Sequence, residues 1–144
     1  DEDIIRYREK WRDASSPESI VIVGRKSHRQ IPLWLRAADI LSIPNTAKEA
    51  AGATESSPSK LMEYMASGRP IVASDVPGIR DVLAGDMGFF CEPDSSEALG
   101  SAIREVFTNP KEAERRAALA RVAACGLGWE ARAQKILQFI ECTT

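Results

Sequence analysis

The sequence predicts a doubly wound α/β domain, with a parallel sheet and helices on both of its faces. Three observations carry that reading. Short apolar runs alternate along the chain with stretches of helical periodicity, the order in which β–α–β units are built. One of these runs, Ile20-Val21-Ile22-Val23, is continuous and β-branched, as suits a strand covered on two faces rather than one. And 144 residues, 44% of them hydrophobic, make one domain's length of chain with enough apolar material for its own core.

Taken in order, Ile4, Tyr7 and Trp11 recur at helical spacing and predict a short amphipathic helix between Asp3 and Asp13. Ser15-Ser16-Pro17 breaks it. Ile20-Val21-Ile22-Val23, closed by Gly24, predicts a first strand over Ser19–Val23. A helix is expected over Ile31–Ala38, a strand over Asp39–Ile43, and a helix over Pro58–Ser67 that Gly68 stops. Ile71-Val72-Ala73 predicts the next strand, Pro77–Leu83 a brief helix and Gly88–Cys91 a last strand. Three helices close the chain, near Ser95–Phe107, Pro110–Ala124 and Trp129–Ile140. Pro110 suits a helix start, because the N–H it lacks would be unpaired there anyway.

Composition narrows the function. Nineteen basic against 21 acidic residues leave a net charge of −2, which argues against an electrostatic nucleic-acid binder. No apolar run approaches the roughly 18 residues that would span a bilayer. The acidic opening Asp1-Glu2-Asp3 is unlike a secretory signal, and the missing initiator Met points to a trimmed or internal piece of a longer protein. Cys91, Cys125 and Cys142 are odd in number and far apart, matching neither a disulfide framework nor a zinc pattern. A reducing, cytoplasmic setting is therefore expected.

In doubly wound sheets ligands bind beyond the carboxyl ends of the strands. Those ends feed the loops Gly24–Gln30, Pro44–Ser57, Ser74–Val76 and Cys91–Asp94. The second is the longest, and it runs into Glu55-Ser56-Ser57-Pro58-Ser59-Lys60-Leu61-Met62-Glu63. Ser57 is a good N-cap and Pro58 a good first helical residue. Free N–H groups and the positive end of the helix dipole at such a start favour a phosphate or diphosphate, and Lys60 adds a point charge. A well-capped helix with a surface lysine accounts for the same residues. Glu63 falls nearly opposite the apolar stripe of Leu61, Met62 and Met65, so it reads either as a solvated carboxylate or as an acceptor for two vicinal ribose hydroxyls. Glu55 and Glu63 do not read as a glycosidase pair, since one lies in a loop and the other in a helix with nothing fixing their separation. The basic loop Gly24-Arg25-Lys26-Ser27-His28-Arg29 could approach a nucleobase or a phosphate, or stay solvated with His28 capping the next helix. Arg115, Arg116 and Arg121, on an alanine-rich helix, read as a solvated face.

Glu55, seven intervening residues and Glu63, followed by Tyr64-Met65-Ala66-Ser67-Gly68-Arg69-Pro70-Ile71-Val72-Ala73-Ser74-Asp75, resemble the C-terminal domain of family-4 glycosyltransferases. Those are retaining enzymes of the GT-B architecture, in which two Rossmann-like domains face each other across a cleft. Further matches are Ala37-Ala38-Asp39-Ile40, Pro44-Asn45, Val76-Pro77-Gly78-Ile79, Gly88-Phe89-Phe90, Pro93-Asp94 and Trp129, so the similarity runs from about Ser19 to the C-terminus.

The resemblance implies a Rossmann-like three-layer domain, half of a GT-B fold, with residues 1–144 as a single nucleotide-sugar-binding domain. It implies that the domain's first strand and an N-terminal acceptor-binding domain lie outside the chain, which alone would be inactive. By the same resemblance Glu63 binds the donor's ribose hydroxyls, Glu55 lies near the donor sugar, and the backbone around Ser57 and Ser59 approaches the diphosphate beside Lys60. Gly24, Arg25 and Lys26 match the region that reads the base. Where many members carry a glycine- and phenylalanine-containing loop after the first glutamate, this chain has Ser56-Ser57-Pro58. The main catalytic and acceptor groups are expected in the N-terminal domain. No cofactor or metal ion is expected; the partners are a nucleotide-diphosphate sugar and an acceptor glycan, lipid or small molecule. Peripheral membrane association of the whole protein stays open. So do two other functions, a nucleotide-sugar epimerase of related fold and a non-catalytic module binding a nucleotide sugar or a protein.

Overall fold

The computed structural model of the chain describes residues 19–48 and 59–142. The chain divides into two units, Asp1–Ile31 and Pro32–Thr144. The helix expected between Asp3 and Asp13 lies outside the described residues.

In the first unit, residues 20–27 adopt no regular secondary structure, so the strand expected over Ser19–Val23 is not formed. Val21 is 77% exposed. β-Branched residues favour strands through cross-strand and same-face neighbours, not through a preference of their own backbone. Among the described residues this run has no ladder partner to supply them. Gly24 then turns the chain with φ of +69°, a left-handed conformation that glycine adopts without steric cost. The chain then turns from Ser27 to Gln30, whose N–H donates to the Ser27 carbonyl at 2.9 Å. The Ser27 N–H and hydroxyl both donate to Gln30 Oε1, at 3.2 and 3.0 Å. Helix α1 (Ile31–Ala37) follows.

From the second expected strand onward, the elements form with bounds shifted by at most three residues. They are β1 (Leu41–Ile43), α2 (Ser59–Ser67), β2 (Ile71–Ser74), α3 (Pro77–Arg80), β3 (Phe89–Cys91), α4 (Ser96–Thr108), α5 (Pro110–Cys125) and α6 (Trp129–Cys142). The strands form one parallel sheet in the order β1-β2-β3, with Ile43 opposite Ala73 and Ser74 opposite Cys91.

All four residues of β2 are buried, and the first three alternate between two apolar clusters. Ile71 and Ala73 face one side, with Ile43 and with Leu61 and Met65 of α2. Val72 faces the other, with Phe89, Cys91 and the Ala102–Val106 stripe of α4. This is the three-layer sandwich that a continuous apolar run demands, since neither face of the central strand can be left to water. Helix α5 serves both clusters through small residues, Ala113 on one and Ala120 on the other.

The expectation for the α5 arginines needs one correction. Arg115 and Arg121 are exposed. Arg116 instead donates to the Gly88 carbonyl at 2.7 Å and lies over the Phe89 ring, 4.4 Å from its centroid. Helical periodicity sets the direction of its stem but not the reach of a long guanidinium side chain. Helix α6 buries none of its residues, and Trp129 and Phe139 are 83% and 73% exposed. Among the described residues no helix is long and apolar enough to cross a membrane.

Candidate functional site

The carboxyl ends of β1, β2 and β3 emerge together at one edge of the sheet, because all three strands are parallel. Helix α2 joins β1 to β2 and so runs back against them, which sets its first turn at that same edge. Leu61 and Met65 anchor it, 2% and 0% exposed. Their i, i+4 spacing turns Lys60 and Glu63 outward, and both are exposed. Glu63 stands about 6 Å along the helix axis from Ser59. Among the described residues neither Lys60 nor Glu63 is engaged in an ion pair. Among the described residues, then, an ammonium without an ion-pair partner stands at the positive end of a helix dipole, one turn from a carboxylate without one.

The loops beside this turn are tied to one another. After β1, the Asn45 N–H donates to the Ile43 carbonyl at 3.1 Å and the Lys48 N–H to Thr46 Oγ1 at 3.1 Å, which curls the chain sharply. The Ala47 N–H donates across the edge to Asp94 Oδ2 at 3.1 Å. The Thr46 side chain and the Ala47 amide, hydrogen-bonded to that carboxyl, hold its pKa below the ordinary value of 3.8. After β2, the Asp75 N–H donates to the Cys91 carbonyl at 2.8 Å. The Asp75 carboxylate is gripped by Arg80, whose Nε and Nη2 donate at 2.6 and 2.8 Å, and those bonds lower the Asp75 pKa. After β3, Ser95 caps α4 by accepting from the Ala98 N–H at 3.1 Å. A cavity of about 130 Å³ remains between these loops and α4, lined by Pro44, Ser74, Cys91, Glu92, Asp94 and Leu99 among others. Burial pushes the Cys91 thiol up, away from thiolate chemistry.

Among the residues singled out in the sequence, Ser59, Lys60 and Glu63 share the first two turns of α2 in the second unit. Gly24, Arg25 and Lys26 belong to the first unit. Glu55 and Ser57 lie outside the described residues. Sequence reasoning placed Asp75 and Asp94 in loops at this edge but gave neither side chain a task, and it did not bring Arg80 there. Pro93-Asp94 just before a serine helix cap carried a signal, since aspartate tolerates the left-handed backbone of such turns.

The sequence pattern of the family described as "Glycosyl transferases group 1" matches residues 4–109. The chain belongs to that family. It is 32% identical over 125 residues to a phosphatidyl-myo-inositol mannosyltransferase of Mycobacterium leprae, an alignment covering 86% of this chain and 32% of the relative. Among solved structures, sucrose-phosphate synthase from Thermosynechococcus elongatus superposes with a TM-score of 0.78 at 23% identity, covering 96% of this chain and 33% of that one. Anabaena Alr3699/HepE in complex with UDP gives a TM-score of 0.76 at 20% identity, covering 96% and 36%. The chain spans about a third of the length of these relatives. Its fold is the Rossmann-like half of a GT-B glycosyltransferase.

Proposed function

We propose that this chain is the donor-binding half of a glycosyltransferase that moves a sugar from a nucleotide diphosphate to an acceptor. We infer that it belongs with the retaining family-4 enzymes and works in the cytoplasm. The observation that carries the reading is the start of α2, where, among the described residues, Lys60 and Glu63 stand without ion-pair partners at the carboxyl edge of a parallel sheet. Family membership supports it, as does the fold shared with a protein solved in complex with UDP. The named relatives are a transferase and a synthase, which favours transfer over epimerisation or passive binding.

As the bond between the anomeric carbon and oxygen breaks, negative charge grows on the departing diphosphate. The oriented N–H groups at the start of α2 and the Lys60 ammonium would stabilise that charge more than the ground state's. Glu63, one turn further, would accept from the ribose hydroxyls and position the nucleoside without moving a proton. Glu55 and Ser57 would extend the same site toward the sugar and the phosphates, and Gly24, Arg25 and Lys26 would approach the base. This assignment calls for no metal ion, and sugar transfer should persist in excess EDTA. The acceptor hydroxyl and the remaining catalytic groups would come from a further, N-terminal domain.

The test is sugar transfer by the full-length protein from a panel of nucleotide-diphosphate sugars, read as labelled product. Lys60→Ala should weaken binding of the nucleotide diphosphate more than of the nucleoside. Equal losses for both would remove Lys60 from the phosphate site.

A further inference from the structure

Asp94 combines two features that are seldom found at one residue. Its φ is +61°, in the left-handed region that few residues other than glycine, asparagine and aspartate enter. Its carboxylate also reaches a residue 47 positions earlier, accepting the Ala47 N–H at 3.1 Å. Because β2 lies between β1 and β3, this bond spans the described sheet from one outgoing strand end to the other. At the ordinary strand spacing that is about 10 Å. The small cavity lined by Ser74 and Cys91 lies beside it, and Ser74 is only 2% exposed.

A left-handed turn by itself would account for an aspartate here and give its carboxylate no task. The carboxylate is engaged, however, by the loop that leaves β1. Its pKa is held below the ordinary value by Thr46 and Ala47, so at neutral pH it is the anion, the stronger acceptor. Ala47 opens the connection whose far end is α2, with Lys60 and Glu63 in its first two turns.

We propose that Asp94 is a positioning residue whose carboxylate fixes the direction in which the chain leaves β1, holding the turn at Thr46 and Ala47 against the loop after β3 at the edge where the donor would bind. The proposal rests on the donor-site reading above. It also divides the roles of Asp94 into two that can be separated by substitution. Glycine keeps the left-handed backbone and removes the carboxylate, and asparagine keeps the backbone and one acceptor oxygen.

The experiment compares wild type, Asp94→Gly and Asp94→Asn in the full-length protein, measuring KM for the nucleotide-diphosphate sugar, kcat, thermal melting and exchange of the Ala47 amide proton. Asp94→Gly should raise donor KM about fivefold while kcat stays within about twofold, and Asp94→Asn should fall between it and wild type. The Ala47 amide should exchange faster in Asp94→Gly at an unchanged melting temperature. An Asp94→Gly variant with wild-type donor KM leaves Asp94 a backbone role only and overturns the proposal. Should that variant melt early, Asp94→Asn decides, and a wild-type KM alongside faster Ala47 exchange overturns it equally. A wild-type protein that binds no nucleotide-diphosphate sugar overturns the donor reading first and the proposal with it.

Discussion

Arg80 closes a two-pronged ion pair on Asp75, with donor distances of 2.6 and 2.8 Å. The same guanidinium lies 3.5 Å from the centroid of the Phe90 ring, so the pair is braced against β3. Planarity makes both contacts possible at once, and lysine cannot reproduce them. Asp75 and Arg80 are 49% and 39% exposed, so water and salt screen the pair and its effect is small. Arg80→Lys should lower the melting temperature by about 1–3 °C.

The pH dependence of that pair follows from its sign. The Asp75 pKa is depressed in the folded chain relative to the ordinary 3.8. Its contribution is therefore complete above that value and is lost as pH falls through the lower, folded one. The difference in melting temperature between wild type and Asp75→Asn should be full at neutral pH and vanish in strong acid. A difference independent of pH would contradict the ion pair.

Arg116 is a clasp between α5 and β3, and Glu112 holds it by accepting from Nε at 2.7 Å. The guanidinium donates at the same time to the Gly88 carbonyl at 2.7 Å and covers Phe89. Arg116→Ala should cost about 1–2 kcal/mol in urea unfolding, as the sum of one hydrogen bond and one ring contact. The Arg115 and Arg116 guanidinium groups lower the Glu112 carboxyl to about 2. Stability lost in Glu112→Gln should thus be greatest at neutral pH and shrink from pH 4.5 toward about 2.

Gly88 leaves no room for a methyl group. A Cβ there would sit 2.6 Å from Leu83 Cδ2 and 3.4 Å from the Ile71 carbonyl oxygen. Leu83 is wholly buried and cannot swing away into solvent. Gly88→Ala should destabilise by about 1–3 kcal/mol, the usual range for an overpacked core. A fully stable Gly88→Ala variant would mean that the α3–β3 connection relaxes more readily than its packing implies.

Much of this fold was legible because its signals were local. Ile71-Val72-Ala73 reads as a short strand and forms one, each residue 0–1% exposed. Ser95, read as the first residue of a helix, stands one place before it and caps it. Ile20-Val21-Ile22-Val23 carried the same local signal and formed no strand, because pairing depends on a neighbour that composition cannot supply. The site was legible as a segment, from Ser59 to Glu63, and as the carboxyl edge of the sheet, but not in the bonds that tie that edge together. The bonds from Asp94 to Ala47 and from Arg116 to Gly88 join residues 47 and 28 positions apart, and no periodicity encodes them.

On the donor-site reading, the exposed carboxylate of Glu63, one turn into α2, holds the ribose of a nucleotide diphosphate. Its most direct test is calorimetric titration of UDP, GDP and ADP into the full-length protein and its Glu63→Ala variant. At least one of the three should bind wild type, and Glu63→Ala should weaken it by about tenfold or more, the usual loss for a charged hydrogen-bond acceptor. Equal affinity in the two proteins would contradict it.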